Sequence, residues 1–311
     1  PDQAPELHHQ LICNALQALV EGPPRGRLMI FAPPGSAKTT YVSRLFAPWV
    51  LQKMKKYSVI GASHRALFAQ ENSTYALDYI REYRHVLRMG LKTENTERWR
   101  TTTGGDYLAA GIDASIAGFR ADLAIIDDPV KSREAASSPA YQRRLWRWFH
   151  GDLSRRMKPD GHIVLMHTRW NDKDLAGQLL ANGADNWKIL KLPALATDAN
   201  DPLGRAPGEP LWMDGDYKYG QGLEAIRDDL IANGALSDWM ALYQQNTTAA
   251  EGNLFKVENL MANMIDVSPA SMKVGRGWDL AATRDMGTLN AAFTVGVKRG
   301  RTPDGRYVVM D

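Results

Sequence analysis

The sequence lacks the features of a secreted, disulfide-stabilised or membrane-spanning protein. Its 311 residues include one cysteine, Cys13, which excludes an internal disulfide framework and a cysteine-rich zinc site. No apolar run approaches the roughly 20 residues that a membrane helix needs. The first residues, PDQAPELHHQ, have neither the basic start nor the apolar core of a signal peptide. These absences favour a reducing, intracellular compartment.

A large excess of either charge is also missing. The 38 Lys and Arg residues against 35 Asp and Glu give a net charge of +3, so charge alone does not establish a nucleic-acid partner. Basic residues do concentrate over 141–158, YQRRLWRWFHGDLSRRMK, where arginines lie among aromatics. This pattern is typical either of a surface that follows a nucleic-acid backbone or of a solvated helix face with tryptophan beneath it.

What the sequence does contain is a regular series of short apolar runs, which predict buried strands. They cover residues 27–32, 57–62, 122–127, 162–168 and 187–192. Several of the stretches between them have helical periodicity, and this alternation predicts an α/β fold with a mostly parallel sheet covered on both faces. The segment 98–120 is rich in Thr and Gly and predicts a short antiparallel insertion before the third of these strands.

Composition shifts predict the domain organisation. We predict an α/β domain over 1–193, a linker subdomain over 194–270 and the start of a second, strand-rich domain over 271–311. The linker begins with a segment dense in Pro, Gly and Asp and continues with two helical patterns. Because the chain starts without Met and stops within a predicted strand, we expect it to be a fragment of a longer protein.

The segment FAPPGSAKTT, residues 31–40, has the length and the Lys-Thr ending of a phosphate-binding loop. Ala32 and Ala37 occupy the two glycine positions, where a positive φ costs a residue with a Cβ of order 1 kcal/mol or more. Gly35 can take the sharpest turn. Lys38 is predicted to reach the terminal phosphates of ATP and the Thr39 hydroxyl to hold Mg²⁺. The predicted nucleotide-binding residues of the loop are Pro34, Gly35, Ser36, Ala37, Lys38, Thr39 and Thr40; a plain structural turn is the alternative.

Polar residues end two of the predicted strands. Asp127 and Asp128 follow the run DLAII, so Asp127 is predicted to complete the magnesium shell and Asp128 to orient the attacking water. A simple acidic turn is the alternative. Thr168, at the end of the run HIVLMHT, is expected to face the γ-phosphate, and Arg169 to carry the signal outward. Together, these residues predict ATP hydrolysis.

The order of motifs along the chain resembles a known family, the large terminase subunits of tailed bacteriophages, which are ATPase-nuclease motors that package DNA. The resemblance rests on LMIFAPPGSAKTT, TTTGGDYLAAGIDASIAGFRADLAIIDDPVK, LMHTRWNDKDLAGQL, LKLPAL, DPLGR, PGEPLW, ALYQQN and GWDLAAT. The chain departs from the common pattern at Ala37, usually Gly, and at Asn246 and Thr247, where a proline often follows YQQ by one residue.

The resemblance implies a RecA-like P-loop ATPase followed by the start of an RNase H-like nuclease that cuts concatemeric DNA with two metal ions, Mg²⁺ or Mn²⁺. Asp279 in GWDLAAT looks like the first nuclease carboxylate and a metal ligand. Two-metal cleavage needs several carboxylates. Asp285 and Asp311 are candidates, with a surface turn or a strand end as the alternative for each; the other ligands are expected mainly beyond Asp311.

The resemblance also implies partners. These are double-stranded DNA, a portal protein, a small terminase subunit and further copies of the chain in a ring on the procapsid, in the host cell cytoplasm and away from any membrane. In such rings an arginine completes the neighbour's site; Arg120 is the leading candidate, then Arg155 and Arg156. Gln10 is the candidate for reading adenine, because its amide both donates and accepts.

Two other functions remain open on the sequence. A helicase-like DNA translocase would share the ATPase core, but it would lack the YQQ motif and the second-domain Asp strand. A binding module that holds nucleotide without turnover would account for alanine at both glycine positions, whereas the paired aspartates count against it.

Overall fold

The computed structural model describes residues 4–183, 186–198, 200–212, 219–247, 271–279, 295–303 and 307–310. The chain forms two compact units, Pro1–Glu258 and Asn259–Asp311. The predicted division at residues 193 and 270 stays a prediction.

The first unit is built around a mostly parallel sheet, as predicted. Its strands are β1 (Arg27–Phe31), β2 (Ser58–Ser63), β3 (Leu91–Glu94), β4 (Arg98–Thr101), β5 (Asp106–Gly111), β6 (Ala121–Asp127), β7 (Met157–Met166) and β8 (Lys188–Lys191). Their order is β3-β4-β5-β2-β6-β7-β1-β8. The strands from β5 to β8 in this order pair in parallel, and β4 and β3 add an antiparallel edge. All five predicted strands are present.

The prediction of an antiparallel insertion over 98–120 was wrong for β5. Strand β4 is antiparallel to β5, but β5 itself pairs in parallel with β2 and belongs to the main sheet. The reason is visible in its side chains. Tyr107, Ala109 and Ala110 are all buried, and near-continuous burial is typical of a parallel strand that is covered on both faces.

Helices cover both faces of this sheet. They are α1 (Leu7–Glu21), α2 (Phe46–Lys53), α3 (Ala66–Glu82), α4 (Arg84–Leu87), α5 (Arg133–Ser137), α6 (Pro139–Arg147), α7 (Ser154–Arg156) and α8 (Leu175–Ala181). Thr40–Leu45 and Trp148–Leu153 form π-helical segments before α2 and α7.

The period-two alternation of β1 shows how the two covered faces form. Leu28 and Ile30 pack with Leu16 of α1 and Val50 of α2 in one buried cluster. Met29 and Phe31 of the same strand pack into a second cluster with α6, the π-helical segment after it and α8. Successive side chains of a strand point to opposite faces. The central strands are therefore buried from both sides, which holds their carboxyl ends in fixed positions.

Residues 141–156 of the basic segment are helical, with two of the aromatic residues buried, and residues 157 and 158 begin β7. Trp148 and Phe149 are buried in the second cluster, while Arg143 and Arg147 are exposed. This arrangement fits a solvated helix face, and the interpretation as a surface that follows a nucleic-acid backbone stays a prediction. The exposed arginines still give this face a positive charge.

A small buried cluster of Ala194, Leu223 and Trp239 lies in the part of the first unit that follows the main sheet. This part contains α9 (Tyr219–Ala232), α10 (Leu236–Asp238) and a π-helical segment, Trp239–Tyr243. The Gln244 amide both donates to and accepts from the backbone of Leu195, at 3.1 and 3.0 Å. The YQQ motif thus fixes the start of the Pro- and Gly-rich segment.

The second unit contains an antiparallel sheet of β9 (Lys273–Asp279), β10 (Val295–Arg301) and β11 (Tyr307–Met310), in the order β11-β10-β9. Asp279 is the last residue of β9. Across the described parts of both units, no helix combines the length and the apolar character needed to cross a bilayer.

Candidate functional site

The loop after β1 adopts the sharp turn that the sequence predicts at Gly35, whose φ is +79°. Ala37 also lies in the left-handed region, with a φ of +56°. Ala32 is fully buried and is not among the residues with positive φ. The two alanines therefore differ: Ala32 fits its backbone without strain, whereas Ala37 carries a cost of order 1 kcal/mol.

The lysine of this loop is held inside it. Lys38 is 6% exposed, and its Nζ donates to the Pro33 carbonyl at 3.4 Å. Nζ also lies 3.9 Å from Asp128 Oδ2. Helical backbone begins at Lys38, and the first amides of a helix have no partner within it. The loop therefore offers the amides and the ammonium group that a phosphate chain requires.

Helix α1 contacts the loop through His9. His9 Nδ1 accepts from the Glu6 amide at 3.2 Å, which leaves the proton of the neutral ring on Nε2, 3.2 Å from the Ser36 carbonyl oxygen. Burial lowers the pKa of His9, although the Ser36 carbonyl opposes this, so the ring is neutral near pH 7. The ring also stacks on Tyr41 at 4.3 Å. The loop is thus anchored to α1 by a buried histidine.

The strand order brings the acidic strand end to the loop. Met166, the last residue of β7, is in register with Ile30 of β1 on one side and with Asp127 of β6 on the other. Because these strands are parallel, their carboxyl ends meet at one edge of the sheet. The residues that follow β1, β6 and β7 therefore face a common site.

Asp128 is held by the residue that follows β7. Its Oδ1 accepts from the Thr168 amide at 2.5 Å, and its Oδ2 accepts from the Thr168 hydroxyl at 3.0 Å. The φ of Asp128 is +41°, so the chain turns sharply directly after β6. Lys38, Asp128 and Thr168, which the sequence selected separately, form one contact cluster.

Asp127 is buried beside this cluster. Its Oδ2 accepts from the Ser43 hydroxyl at 2.6 Å and from the Asn72 amide at 3.1 Å. Burial, followed by the charge of Asp128, raises the pKa of Asp127 to about 7. A carboxyl group in this state is poised to bind a cation, because a positive charge would offset the cost of ionising it.

A cavity of about 330 Å³ opens beside these groups. Its lining residues are Thr39, Arg44, Ser63, His64, Phe68, Glu71, Asn72, Asp127 and Asp128. Thr39 and Asp127 can supply a hydroxyl and a carboxylate oxygen to Mg²⁺. No cluster of three or more acidic, His or Cys side chains suited to a metal occurs in the described part of the chain. Mg²⁺ usually binds proteins through one or two oxygen ligands together with phosphates and water, and Thr39 and Asp127 offer such a donor set.

Arg169 connects this site with the segment that follows it. Its Nε donates to Asp174 Oδ2 at 2.9 Å, and both side chains are buried. The same carboxylate accepts from the amides of Trp170 and Gly177, at 3.1 and 2.9 Å. Burial would raise the pKa of Asp174, but the charges of His167 and Arg169 hold it below its ordinary value. The turn after Thr168 is therefore fixed by an ionised, fully bonded carboxylate.

Several residues of the site do not follow from the sequence patterns above. Ser43 and Arg44 follow Thr39 by four and five residues, and residues four apart lie on one side of a helix. Asn72 is a polar residue within the apolar stripe of α3, and His64 directly follows β2. Polar residues in buried positions near strand ends were the available signal.

Other predicted residues lie elsewhere. Gln10 is exposed, and its amide donates to the Pro5 carbonyl. Arg120 precedes β6, at the opposite end of the strand from Asp127, and Arg156 precedes the paired end of β7. At about 3.3 Å per residue, β6 keeps Arg120 well out of reach of its own chain's loop. The side chain of Asp279 lies outside the described part, as do Asp285 and Asp311.

The fold and the loop define a class, the α/β proteins that bind nucleotide through a P-loop. A family model described as terminase large subunit, T4likevirus-type, N-terminal, matches residues 29–261, well over half of the chain. The chain belongs to the large terminase subunit family. No curated protein matches it significantly in sequence.

Solved structures agree with this fold. The large terminase of bacteriophage HK97 superposes with a TM-score of 0.51 at 14% identity, covering 99% of this chain and 63% of that one. The large terminase of the thermophilic bacteriophage D6E gives a TM-score of 0.52 at 11% identity, covering 97% and 66%. This chain therefore spans just under two thirds of the length of these terminases.

Proposed function

We propose that this chain hydrolyses ATP to drive double-stranded viral DNA into a procapsid. The observation that carries the proposal is the contact cluster of Lys38, Asp128 and Thr168, formed from the ends of three adjacent parallel strands. Three such groups from separate strand ends match the needs of phosphoryl transfer: a phosphate-binding cation, a carboxylate for the attacking water and a group that senses the terminal phosphate.

Each residue has a defined part in this reaction. Lys38 and the loop amides bind the phosphates. Thr39 and Asp127 would hold Mg²⁺, which would supply positive charge against the charge that develops on the phosphates. Asp128 orients water; the two hydrogen bonds from Thr168 fix the plane of its carboxylate before the nucleotide arrives. Positioning of this kind is a main source of catalysis in phosphoryl transfer.

The coupling to DNA is also part of the proposal. Arg169 follows Thr168 directly, and its Nη2 lies 3.5 Å from the Thr247 hydroxyl, just after the YQQ motif. A change at Thr168 would reach that segment through a buried arginine. We propose the host cytoplasm as the location, a ring of copies on the procapsid as the assembly, and the portal protein and small terminase subunit as partners. Arg120 would act on the neighbouring copy.

The nuclease belongs to the proposal for the longer protein. Asp279 ends a β-strand of the second unit, which is where the first carboxylate of an RNase H-like site is expected. Two-metal cleavage by Mg²⁺ or Mn²⁺ needs further carboxylates, so we expect this chain to hydrolyse ATP more readily than it cuts DNA.

The test is ATP turnover with and without double-stranded DNA, in magnesium, for the wild type and for Lys38→Ala and Asp127→Ala. Turnover is expected in the wild type and is expected to fall at least about 100-fold in both variants, since each removes a charged group from the transferred phosphate or its metal. Lys55→Ala is the control, because Lys55 is exposed in the turn that follows α2.

Wild-type turnover that survives in both variants would contradict the proposed site. Nucleotide binding without turnover, at concentrations that allow ring assembly, would instead favour a binding role.

A further inference from the structure

One cation in the candidate site has no part in the mechanism above. Arg44 lies in the π-helical segment Thr40–Leu45, which begins directly after Thr39. Its side chain lines the same cavity of about 330 Å³ as Thr39, Asp127 and Asp128. Since the helix starts at the phosphate loop, the position of Arg44 relative to Lys38 is set by the backbone itself.

Neutral groups hold this guanidinium in place. Arg44 Nε donates to Asn72 Oδ1 at 2.9 Å, and the Asn72 amide in turn donates to Asp127. The guanidinium carbon lies 3.8 Å from the centroid of the Tyr75 ring. An arginine has five N–H donors in a planar fork. With Nε on Asn72, the two Nη groups remain for another acceptor.

The charge of Arg44 has no carboxylate at contact distance in the described part of the chain. Arg81 and Arg98, which are more exposed, each pair with a carboxylate at 2.7 Å. Arg44 instead contacts an amide and an aromatic ring. Such a cation, partly buried and anchored beside two aspartates, is suited to an anion that enters the cavity together with a metal ion.

We propose that Arg44 is a further catalytic residue that donates to the terminal phosphate of the nucleotide within its own chain. This rests on the proposed ATPase function. The cavity lies on the side of Asp127 and Asp128, where the metal and the attacking water are expected, rather than on the α1 side of the loop. Arg44 therefore distinguishes ATP from ADP, and its Nη groups stabilise the charge of phosphoryl transfer.

The test separates a phosphate contact from a structural role by comparing two nucleotides. Calorimetry in Mg²⁺ measures the affinities of ATP-γ-S and ADP for the wild type, Arg44→Ala and Arg44→Lys. We expect Arg44→Ala to weaken ATP-γ-S at least about 10-fold, as the loss of a charge-assisted hydrogen bond does, and to change ADP less than about twofold. Arg44→Lys keeps the charge and is expected to recover part of the preference.

Two controls complete the design. Asn72→Ala removes the anchor and leaves the guanidinium, so it is expected to reduce the preference for ATP-γ-S less than Arg44→Ala does. Arg143→Ala, on the exposed face of α6, is expected to change neither affinity. The inference would be overturned if Arg44→Ala and Arg44→Lys lost affinity equally for ATP-γ-S and ADP. It would also be overturned if neither variant lost affinity for ATP-γ-S.

The outcomes also separate this inference from the proposed function. If the wild type binds and hydrolyses ATP and both Arg44 variants keep its preference for ATP-γ-S over ADP, the proposed ATPase function holds and the proposed role of Arg44 is wrong. If the wild type neither binds nor hydrolyses ATP, both the proposed ATPase function and the proposed role of Arg44 are wrong.

Discussion

At the scale of single residues, Asp127 bears the clearest conflict between stability and function. Its carboxyl group is fully buried, and burial together with the charge of Asp128 raises its pKa to about 7. Without a bound cation, ionisation of Asp127 therefore costs the folded state free energy. The same ionised form is what a magnesium ion requires.

We predict that Asp127→Asn stabilises the nucleotide-free protein while it removes ATP turnover. The pKa of Asp127 is near 4 in the unfolded chain and about 7 in the folded protein. The free energy of unfolding of the wild type therefore falls as the pH rises from about 4 to about 7, and it remains at this lower value at higher pH. Asparagine has no such loss and can still accept from Ser43. Above pH 7 the gain in unfolding free energy is a few kcal/mol, since one pKa unit is about 1.4 kcal/mol. Urea denaturation at pH 8 and pH 5 measures it.

The gain is expected to shrink at pH 5, where the wild-type carboxyl is mostly protonated. A gain of the same size at both values, or a loss at pH 8, would show that Asp127 is not under this strain. Asp172→Asn is the control, because Asp172 is exposed to solvent.

The sequence predicted the residues whose position follows from strand ends. Lys38, Asp128 and Thr168 each end or follow a buried run, and parallel strands bring such ends together whatever the helices do. Ser43 and Asn72 could not be placed in the same way. Their contact with Asp127 depends on the rotation of two helices about their axes, which packing decides and local sequence does not. The strain at Ala37, in contrast, was predicted from its loop position.

At the scale of elements, the start of α8 depends on one carboxylate. Asp174 accepts from the Gly177 amide and so caps the helix, and it also neutralises buried Arg169. We predict that Asp174→Ala costs about 3–5 kcal/mol of unfolding free energy, because it leaves a buried charge unpaired and a helix end uncapped. Asp172→Ala, two residues earlier and exposed, is expected to change stability by less than about 0.5 kcal/mol. Chemical denaturation of the two variants makes the comparison.

A cost below about 1 kcal/mol for Asp174→Ala would mean that Arg169 finds another partner or reaches solvent. The turn after Thr168 would then be less firmly held than the structure indicates.

Element types were predictable where the apolar pattern was strong. The runs of β1, β2, β6, β7 and β8 all became parallel strands, with β8 at one edge of the sheet. For β5 the surrounding Thr and Gly residues resembled hairpin turns, although its own residues, DYLAAG, are those of a buried strand. Its pairing with β2 joins distant parts of the chain, and no local signal specifies such a contact.

At the scale of the whole molecule, the division into two units predicts independent folding of the first. Both large buried clusters of the sheet lie within residues 12–211, and the small third cluster ends at Trp239. We expect residues 1–258 alone to unfold cooperatively, with a melting temperature within about 3 °C of the full chain's first transition, because the three buried clusters of the described residues all lie within this range. Circular dichroism measures it, and ATP turnover should persist.

Loss of a cooperative transition in residues 1–258 would show that the first unit needs residues 259–311 to fold. Retained folding with lost turnover would place a nucleotide contact in the second unit.

The position of β7 limits how the sheet can move. This strand is hydrogen-bonded to β6 on one side and to β1 on the other. A slide of one residue, about 3.3 Å, would break both ladders and exchange the side chains that pack on the two covered faces of the sheet. The sheet is therefore expected to stay fixed. If ATP hydrolysis drives movement as proposed, a change at Thr168 has to pass through side-chain rotation and through the turn held by Asp174, at the edge of the sheet rather than through its centre.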